Sequence, residues 1–210
     1  MKRTTFSTIA LVILFFALPF LLIAVKRITQ LAGQALGTPA HIIVDAKKVS
    51  EPIPQNWRAF SQGGESPDNM IAPVVAPMQE LKPRYIRIDH LYDFYNIVRR
   101  DGGSLSFDFS KLDAVVDSIL QTGAKPFLSL SYMPAVIAKD GNIINPPNDW
   151  NEWALVVQKT VERYSGRSNR NITDVYYEVW NEPDLFGSWK VYGEKNYMTL
   201  YTQAATGANR

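Results

Sequence analysis

The sequence predicts an α/β protein in which short strands alternate with helices, preceded by a hydrophobic N-terminal helix. Four short runs rich in β-branched and aromatic residues are each followed by helically spaced apolar residues, a pattern typical of a parallel sheet with helical crossovers. An uncharged apolar stretch covers residues 6–25. The fourth strand-like run ends in Asn181-Glu182-Pro183, which places a carboxyl group where a strand opens into a loop.

The N-terminus divides into a basic segment (1–5), the apolar stretch (6–25) and a linker with lead-in (26–56) that includes a possible small strand at 41–44. As a helix, 6–25 could span the roughly 30 Å of a bilayer core. It is also longer than the apolar core of a secretory signal, which has about 7–15 residues. This length favours an uncleaved membrane anchor, with the remainder outside the cytoplasm. A cleaved signal with secretion, using Ala35-Leu36-Gly37 as its small-residue site, and a buried core helix are the alternatives.

The first two strands and their helices come next. A short strand at 57–61 precedes a helix at 70–81 that contains Pro73 and Pro77. Pro83 ends that helix, and the second strand covers 84–89.

The third and fourth units are clearer. Helix 108–121 precedes the strand 127–131, helix 149–164 precedes the strand 175–180, and helix 196–205 follows. One face of 108–121 carries spaced apolar residues, and Gly123 provides a stop; these residues are Leu112, Val115, Val116, Ile119 and Leu120. Asn148 or Asp149 is the expected N-cap of 149–164.

Composition limits the function classes. The net charge is +2, and the dispersed Lys and Arg residues form no basic stripe of the kind that binds nucleic acid. The chain has no cysteine, which excludes a disulfide framework, a thiolate metal site and a cysteine nucleophile. We therefore expect no cofactor, no metal and no nucleic-acid partner, and the oligomeric state stays open.

Glu182 is the strongest candidate for chemistry. Tyr, Val and Trp before it favour a strand, and Pro183 cannot extend a ladder because it lacks an N–H. Among aromatic rings the carboxyl group would be desolvated and would hold its proton to higher pH, as a general acid requires. The alternative is a structural glutamate that caps the loop or pairs with an arginine.

The motif Trp180-Asn181-Glu182-Pro183 after a strand resembles the signature of the retaining glycoside hydrolases built on (β/α)8 barrels. Residues 84–90 and 125–134 resemble the second and third strands of that clan. The Met-Pro ending of 125–134, together with 197–201 and the alanine-rich helix behind it, is most similar to glycoside hydrolase family 39, the β-xylosidase and α-L-iduronidase group. The resemblance covers about residues 50–207.

The resemblance implies that residues 57–210 form the first half, about four βα units, of a TIM (β/α)8 barrel, truncated after strand four. It assigns Glu182 as acid/base and Asn181 to the sugar 2-hydroxyl. Asp89 or His90 would hold the sugar, because Arg-Ile-Asp-His replaces the usual Arg-x-His-Gly. Aromatic residues on loops after strands three and four would stack on a sugar ring; these are Tyr132, Phe186 and Trp189.

A retaining glycosidase needs a second carboxylate about 5–5.5 Å from the acid. In the resembled clan it lies on the seventh strand, which this sequence does not contain, and we expect Glu178 to be an interior hydrogen-bonding residue instead. We therefore expect these residues alone to be inactive, and to expose an apolar layer that further strands would cover; that layer comprises Ile86, Ile88, Phe127, Leu128 and Val179.

Two functions remain open. The first is a glycoside hydrolase in a full-length parent, acting on an oligosaccharide or glycoside whose sugar (xylose, iduronate, or an aryl or alkyl β-glycoside) is undetermined. The second is a membrane-anchored carbohydrate-binding or inactive barrel fragment that lacks the nucleophile.

Overall fold

The computed structural model describes residues 15–28, 43, 45, 54–62 and 66–210. The chain divides into two compact units, Met1–Ile53 and Pro54–Arg210.

In the first unit, helix α1 is described over residues 15–28, and all of its side chains are exposed. Among the described residues, no helix has the length and apolar character needed to cross a membrane. Residues 6–14 of the predicted anchor lie outside the described part, so the anchor stays a prediction. The same holds for the possible strand at 41–44, of which only Ile43 is described, without regular structure.

The second unit is an α/β structure. Along the chain its elements are β1 (Ala59–Gln62), α2 (Val75–Leu81), β2 (Tyr85–Ile88), α3 (Leu91–Phe94), β3 (Val98–Asp101), β4 (Ser104–Phe107), α4 (Ser110–Gln121), β5 (Lys125–Leu130), α5 (Trp150–Ser165), β6 (Tyr176–Val179) and α6 (Tyr197–Ala208). Strands β1, β2, β5 and β6 pair in that order, all parallel. The predicted α/β class and parallel sheet are confirmed.

The first two predicted elements of the second unit each include a 3₁₀ turn in the structure, while the other predicted strands and helices differ by up to three residues at their ends. The chain before β1 is a 3₁₀ turn at Asn56–Arg58, so the first strand starts later than predicted. The predicted helix 70–81 is a 3₁₀ turn at Ala72–Val74 followed by α2. Pro73 accounts for this difference, because a proline lacks the N–H of a regular helical turn but is tolerated at a helix start.

The antiparallel hairpin formed by β3 and β4 was not predicted. Its turn consists of Gly102 and Gly103, which have φ angles of 55° and 96°. Glycine adopts such positive φ angles without steric cost.

Helices α4 and α5 cover one face of the sheet. Leu112, Val115, Val116 and Ile119 of α4 are buried as predicted, but Leu120 is 36% exposed, so its assignment to the buried face is wrong. At the start of α5 the cap is Asp149, whose side chain accepts a hydrogen bond from the Asn151 backbone N–H.

The two faces of the sheet differ in polarity because successive side chains of a strand point to opposite sides. Ile86, Ile88 and Leu128 are at most 1% exposed and lie in one core cluster with side chains of α4 and α5. The expectation that these three residues form an uncovered layer is therefore wrong, since they occupy the helix-facing side. The opposite face carries Arg87, Phe127, Ser129 and Glu178.

Candidate active site

The candidate site lies where β2, β5 and β6 end. Asp89 and His90 follow β2, Tyr132 follows β5, and Asn181 and Glu182 follow β6. The carboxyl ends of parallel neighbouring strands share one edge of a sheet, the position at which α/β proteins bind ligands. Residues that are far apart in the sequence therefore meet at this edge.

Arg87 on β2 connects these residues, although it was not among the predicted site residues. Its Nε donates to Glu178 Oε2 at 2.7 Å, Nη1 to Asp89 Oδ2 at 3.3 Å, and Nη2 to Asn181 Oδ1 at 2.9 Å. Partial burial lowers the pKa of Arg87, but the hydrogen bonds and charges of Glu178 and Asp89 outweigh it, so the net pKa lies above the ordinary value. The guanidinium is thus a permanent cation that fixes three acceptors.

Glu178 is a hydrogen-bonding residue, as expected, because its carboxylate accepts the shortest of the Arg87 hydrogen bonds. Arg87 and Glu178 are joined across β5, which lies between their strands. The signal available in the sequence was a charged residue at an alternate position of each strand, in Tyr-Ile-Arg-Ile and Tyr-Tyr-Glu-Val.

Tyr132 lies beneath Asn181 rather than on an open surface. Its hydroxyl oxygen accepts a hydrogen bond from Asn181 Nδ2 at 3.1 Å, and the residue is only 2% exposed. Its ring contacts those of His90, Trp180 and Phe186 at centroid distances of 4.5, 5.4 and 5.8 Å. Burial raises the pKa of Tyr132, although the hydrogen bond from Asn181 acts in the opposite direction. This burial leaves the Tyr132 ring no open face for stacking on a sugar.

Asp89 and His90, the two alternatives for holding a sugar, have separate partners. Asp89 is held by Arg87 and is 8% exposed. His90 has a left-handed φ of 54°, its Nδ1 lies 2.7 Å from Asp93 Oδ2, and its ring stacks on Phe94 at 4.2 Å. The geometry leaves both residues at the site edge without choosing between them.

Glu182 is exposed, so the packing among aromatic rings that we expected around it is not present. Its backbone has a left-handed φ of 43°, and its carbonyl oxygen accepts hydrogen bonds from the N–H groups of Leu185 and Phe186. Within the described part of the chain, its carboxylate has no hydrogen-bond or ion-pair partner. The side chain is therefore accessible to a substrate.

Trp189, predicted as a sugar platform, lies in the core instead. It is 3% exposed and packs edge-on against Trp180 at 5.2 Å. Phe186 on the same loop is 39% exposed, and its carbonyl oxygen accepts a hydrogen bond from Trp180 Nε1 at 2.8 Å. Of the three predicted aromatic platforms, only Phe186 has an open face.

Metal-ligating side chains do not gather anywhere in the described ranges: no group of three or more His, Asp or Glu residues could hold a metal ion there. The chemistry that these residues can support is proton transfer by Glu182 and hydrogen bonding by Asn181 and its partners.

Sequence relatives of the chain are glycosidases. The β-xylosidase of Caldicellulosiruptor saccharolyticus is 34% identical over 116 residues, which cover 51% of this chain and 24% of the relative. The β-xylosidase of Geobacillus stearothermophilus is 34% identical over 139 residues, which cover 58% of this chain and 27% of the relative. The α-L-iduronidase of Mus musculus is 28% identical over 100 residues, which cover 47% of this chain and 15% of the relative.

Solved structures that match the fold of this chain are also named as family 39 enzymes or β-xylosidases. The crystal structure of the GH39 enzyme from Xanthomonas axonopodis pv. citri matches with a TM-score of 0.59 and 28% identity, over 71% of this chain and 32% of that one. The crystal structure of a monomeric β-xylosidase from Caulobacter crescentus CB15 matches with a TM-score of 0.59 and 27% identity, over 71% of this chain and 33% of that one.

The fold, the loop after β6 and these relatives define the class as glycosidase-related α/β proteins. The sequence model of glycosyl hydrolases family 39 matches residues 40–210, and the chain belongs to that family. The matched part spans about a quarter of the length of the two β-xylosidases.

Proposed function

We propose that this chain supplies the first four βα units and the acid/base residue, Glu182, of a retaining (β/α)8-barrel glycoside hydrolase. The observation that carries the proposal is the Asn181-Glu182 pair at the carboxyl end of β6, with Asn181 held by Arg87 and Tyr132. Active sites of such barrels lie at this end of the strands. An accessible carboxylic acid beside a fixed amide suits the protonation of a glycosidic oxygen.

In the proposed reaction, Glu182 donates its proton to the leaving oxygen while a second carboxylate attacks the anomeric carbon. The covalent glycosyl intermediate is then attacked by a water molecule, whose proton returns to Glu182. Asn181 would hydrogen-bond the sugar 2-hydroxyl, where a contact strengthens as the transition state forms.

The second carboxylate is proposed to come from a part of the protein that these residues do not cover. Glu178 is the nearest candidate in sequence, but its carboxylate is engaged by Arg87. The structural relatives are about three times as long as the region they share with this chain. We therefore expect these residues on their own to turn over no glycoside.

A β-xyloside is the proposed substrate. Two of the sequence relatives and two of the solved structures are named as β-xylosidases, against one α-L-iduronidase. Aryl β-xylosides with good and poor leaving groups are accordingly the probes of choice.

The acid/base assignment is tested by Glu182→Ala in a protein that carries the complete barrel. Hydrolysis of a xyloside with a poor leaving group should fall by about 10²–10⁴-fold, because general acid catalysis contributes that much. An activated aryl xyloside should still form the intermediate, and azide should accelerate its turnover.

Asp184→Ala is the matched control, because it removes an exposed carboxylate two residues away. Equal losses on both substrates without azide rescue would make Glu182 structural. Saturable xyloside binding by the complete barrel without turnover would instead support a carbohydrate-binding or inactive protein.

We also propose that the N-terminal segment anchors the protein in a membrane, with the family 39 region outside the cytoplasm. The described part of α1 has only exposed side chains, many of them large and apolar, and it carries Lys26 and Arg27 near its end. The protein should stay in the membrane pellet through alkaline carbonate washing. A soluble species that starts near Thr38 would show a cleaved signal instead.

A further inference from the structure

Chemistry alone fixes the orientation of the Asn181 amide. Its Oδ1 lies 2.9 Å from Arg87 Nη2, and its Nδ2 lies 3.1 Å from the Tyr132 hydroxyl. A guanidinium has only donors, so the Asn181 atom that faces it must be the oxygen. The amide nitrogen consequently faces Tyr132, whose hydroxyl oxygen must accept.

Tyr132 is held in place more firmly than a hydrogen-bonding role alone would require. The residue is 2% exposed, and its ring is enclosed by His90, Trp180 and Phe186. Because the ring cannot swing away, its hydroxyl oxygen presents a fixed acceptor to the amide.

Asn181 retains hydrogen-bonding capacity for a ligand. A primary amide has two N–H donors and two carbonyl lone pairs. Tyr132 and Arg87 use one of each, and within the described part of the chain the remaining donor and lone pair have no partner. A sugar hydroxyl is both donor and acceptor, so it can satisfy the two together.

We propose that Tyr132 is a positioning residue, which acts through Asn181 to present this donor and acceptor to the sugar; the inference rests on the proposed glycosidase function. The hydroxyl is the group that matters, because phenylalanine would fill the same aromatic cluster. Without the hydroxyl, Arg87 still holds the carbonyl oxygen of Asn181, but the NH₂ group loses its fixed acceptor.

Hydrogen exchange of the Asn181 side chain tests the proposal directly. In the ¹⁵N-labelled full chain, the resonance pair of this amide is assigned by its loss in Asn181→Asp. Tyr132→Phe should accelerate its exchange by about two- to tenfold, the equivalent of one ordinary hydrogen bond.

The matched control is Tyr92→Phe, since Tyr92 is also 2% exposed but its hydroxyl lies 3.0 Å from Thr160 Oγ1, in the core. This control should leave the exchange of the Asn181 amide unchanged. Unchanged exchange in Tyr132→Phe, or equal acceleration in both variants, would overturn the proposal.

A reverse measurement serves if Tyr132→Phe does not fold. The hydrogen bond from Asn181 lowers the pKa of Tyr132 against the effect of burial. Asn181→Ala should therefore move the titration of the Tyr132 Cζ resonance, followed by ¹³C NMR, to higher pH. A titration that does not move would show that the two side chains are not coupled.

Kinetics separates this inference from the proposed function. In the complete barrel, Tyr132→Phe should lower kcat/KM for an aryl β-xyloside when Asn181 is present, and should cause no further loss in an Asn181→Ala background. Equal losses in both backgrounds would indicate a packing role. If the parent protein hydrolyses no glycoside, the proposed function fails, while the two NMR measurements still decide the role of Tyr132.

Discussion

The two faces of the parallel sheet are built from the same strands but have opposite chemistry. On β2, Ile86 is fully buried among apolar side chains, whereas its neighbour Arg87 is hydrogen bonded to three polar side chains on the other side. On β5, Leu128 and Ser129 differ in the same way. One face is held together by apolar packing, and the other is organised around a cation that leads to the candidate site.

Leu128→Ala and Ser129→Ala test this difference with adjacent residues. Leu128 is 0% exposed, so truncation should reduce the free energy of unfolding by about 2–5 kcal/mol through lost burial and a cavity. Ser129→Ala removes one hydrogen bond, to Ser131 Oγ at 3.0 Å, and should cost about 0.5–1.5 kcal/mol. Urea unfolding of the full chain measures both, and equal costs would refute the contrast.

Arg87→Met should have the next largest effect. The variant leaves the carboxylates of Glu178 and Asp89 without their shared cation, at a cost of about 1–3 kcal/mol, between the values for exposed and buried pairs. Urea unfolding of the variant and the parent protein measures the difference.

Arg99→Met is the control for Arg87, because the Arg99 pair with Asp108 is exposed on both sides. It should change stability by less than about 0.5 kcal/mol. Equal losses in Arg87→Met and Arg99→Met would mean that the buried contacts of Arg87 contribute no more than an exposed ion pair.

Tyr177, on the helix-facing side of the sheet, should make the free energy of unfolding depend on pH in the alkaline range. Burial raises its pKa to about 12, although its hydrogen bond with Ser165 acts in the opposite direction. The folded state therefore holds the phenol proton more tightly than the unfolded state, whose pKa is about 10. The resulting stabilisation is present below pH 10 and is lost as the pH rises towards 12.

Tyr177→Phe has no phenol to ionise, so its free energy of unfolding should fall less steeply between pH 10 and 12, by about 1–2 kcal/mol over that range. At pH 7 the variant should lose about 0.5–1.5 kcal/mol with the Ser165 hydrogen bond. Tyr201→Phe, which removes an exposed phenol, is the control. An unchanged slope in Tyr177→Phe would contradict the assignment.

The smallest effect is expected at Leu120. Because its side chain is 36% exposed, Leu120→Gln should change stability by less than about 0.5 kcal/mol, whereas Ile119→Ala, at a fully buried position, should cost about 2–4 kcal/mol. Thermal unfolding of the two variants gives the comparison. A large loss of stability in Leu120→Gln would show that the Leu120 side chain belongs to the buried face of α4.

The sequence predicted most elements of the sheet and its helices because apolar periodicity is local. It placed Leu112 correctly but extended the apolar face of α4 one residue too far, to Leu120. The hairpin of β3 and β4 was not predicted, because its first strand, Val98–Asp101, exposes three of its four residues and has no apolar alternation. Only the glycine pair at its turn could have signalled it.

The candidate site was predictable in part, for a different reason. Glu182 and Asn181 belong to a contiguous motif, which resemblance could recognise. Arg87 was missed because its partners Glu178 and Asn181 lie 91 and 94 residues further along the chain, and only the register of the sheet brings them together. The burial of Trp189 was likewise decided by tertiary packing, against Trp180, and not by the polarity of its neighbours.

The left-handed backbone at Glu182 implies a trade between stability and function. Residues with a side chain rarely adopt a φ of 43°, and holding one there costs about 1–3 kcal/mol. Glu182→Gly and Glu182→Ala both remove the carboxyl group, but only glycine relieves the strain. The glycine variant should therefore be more stable than the alanine variant by about 1 kcal/mol in thermal unfolding. The side chain of Glu182 is therefore present at a cost in folding stability that a glycine would not incur.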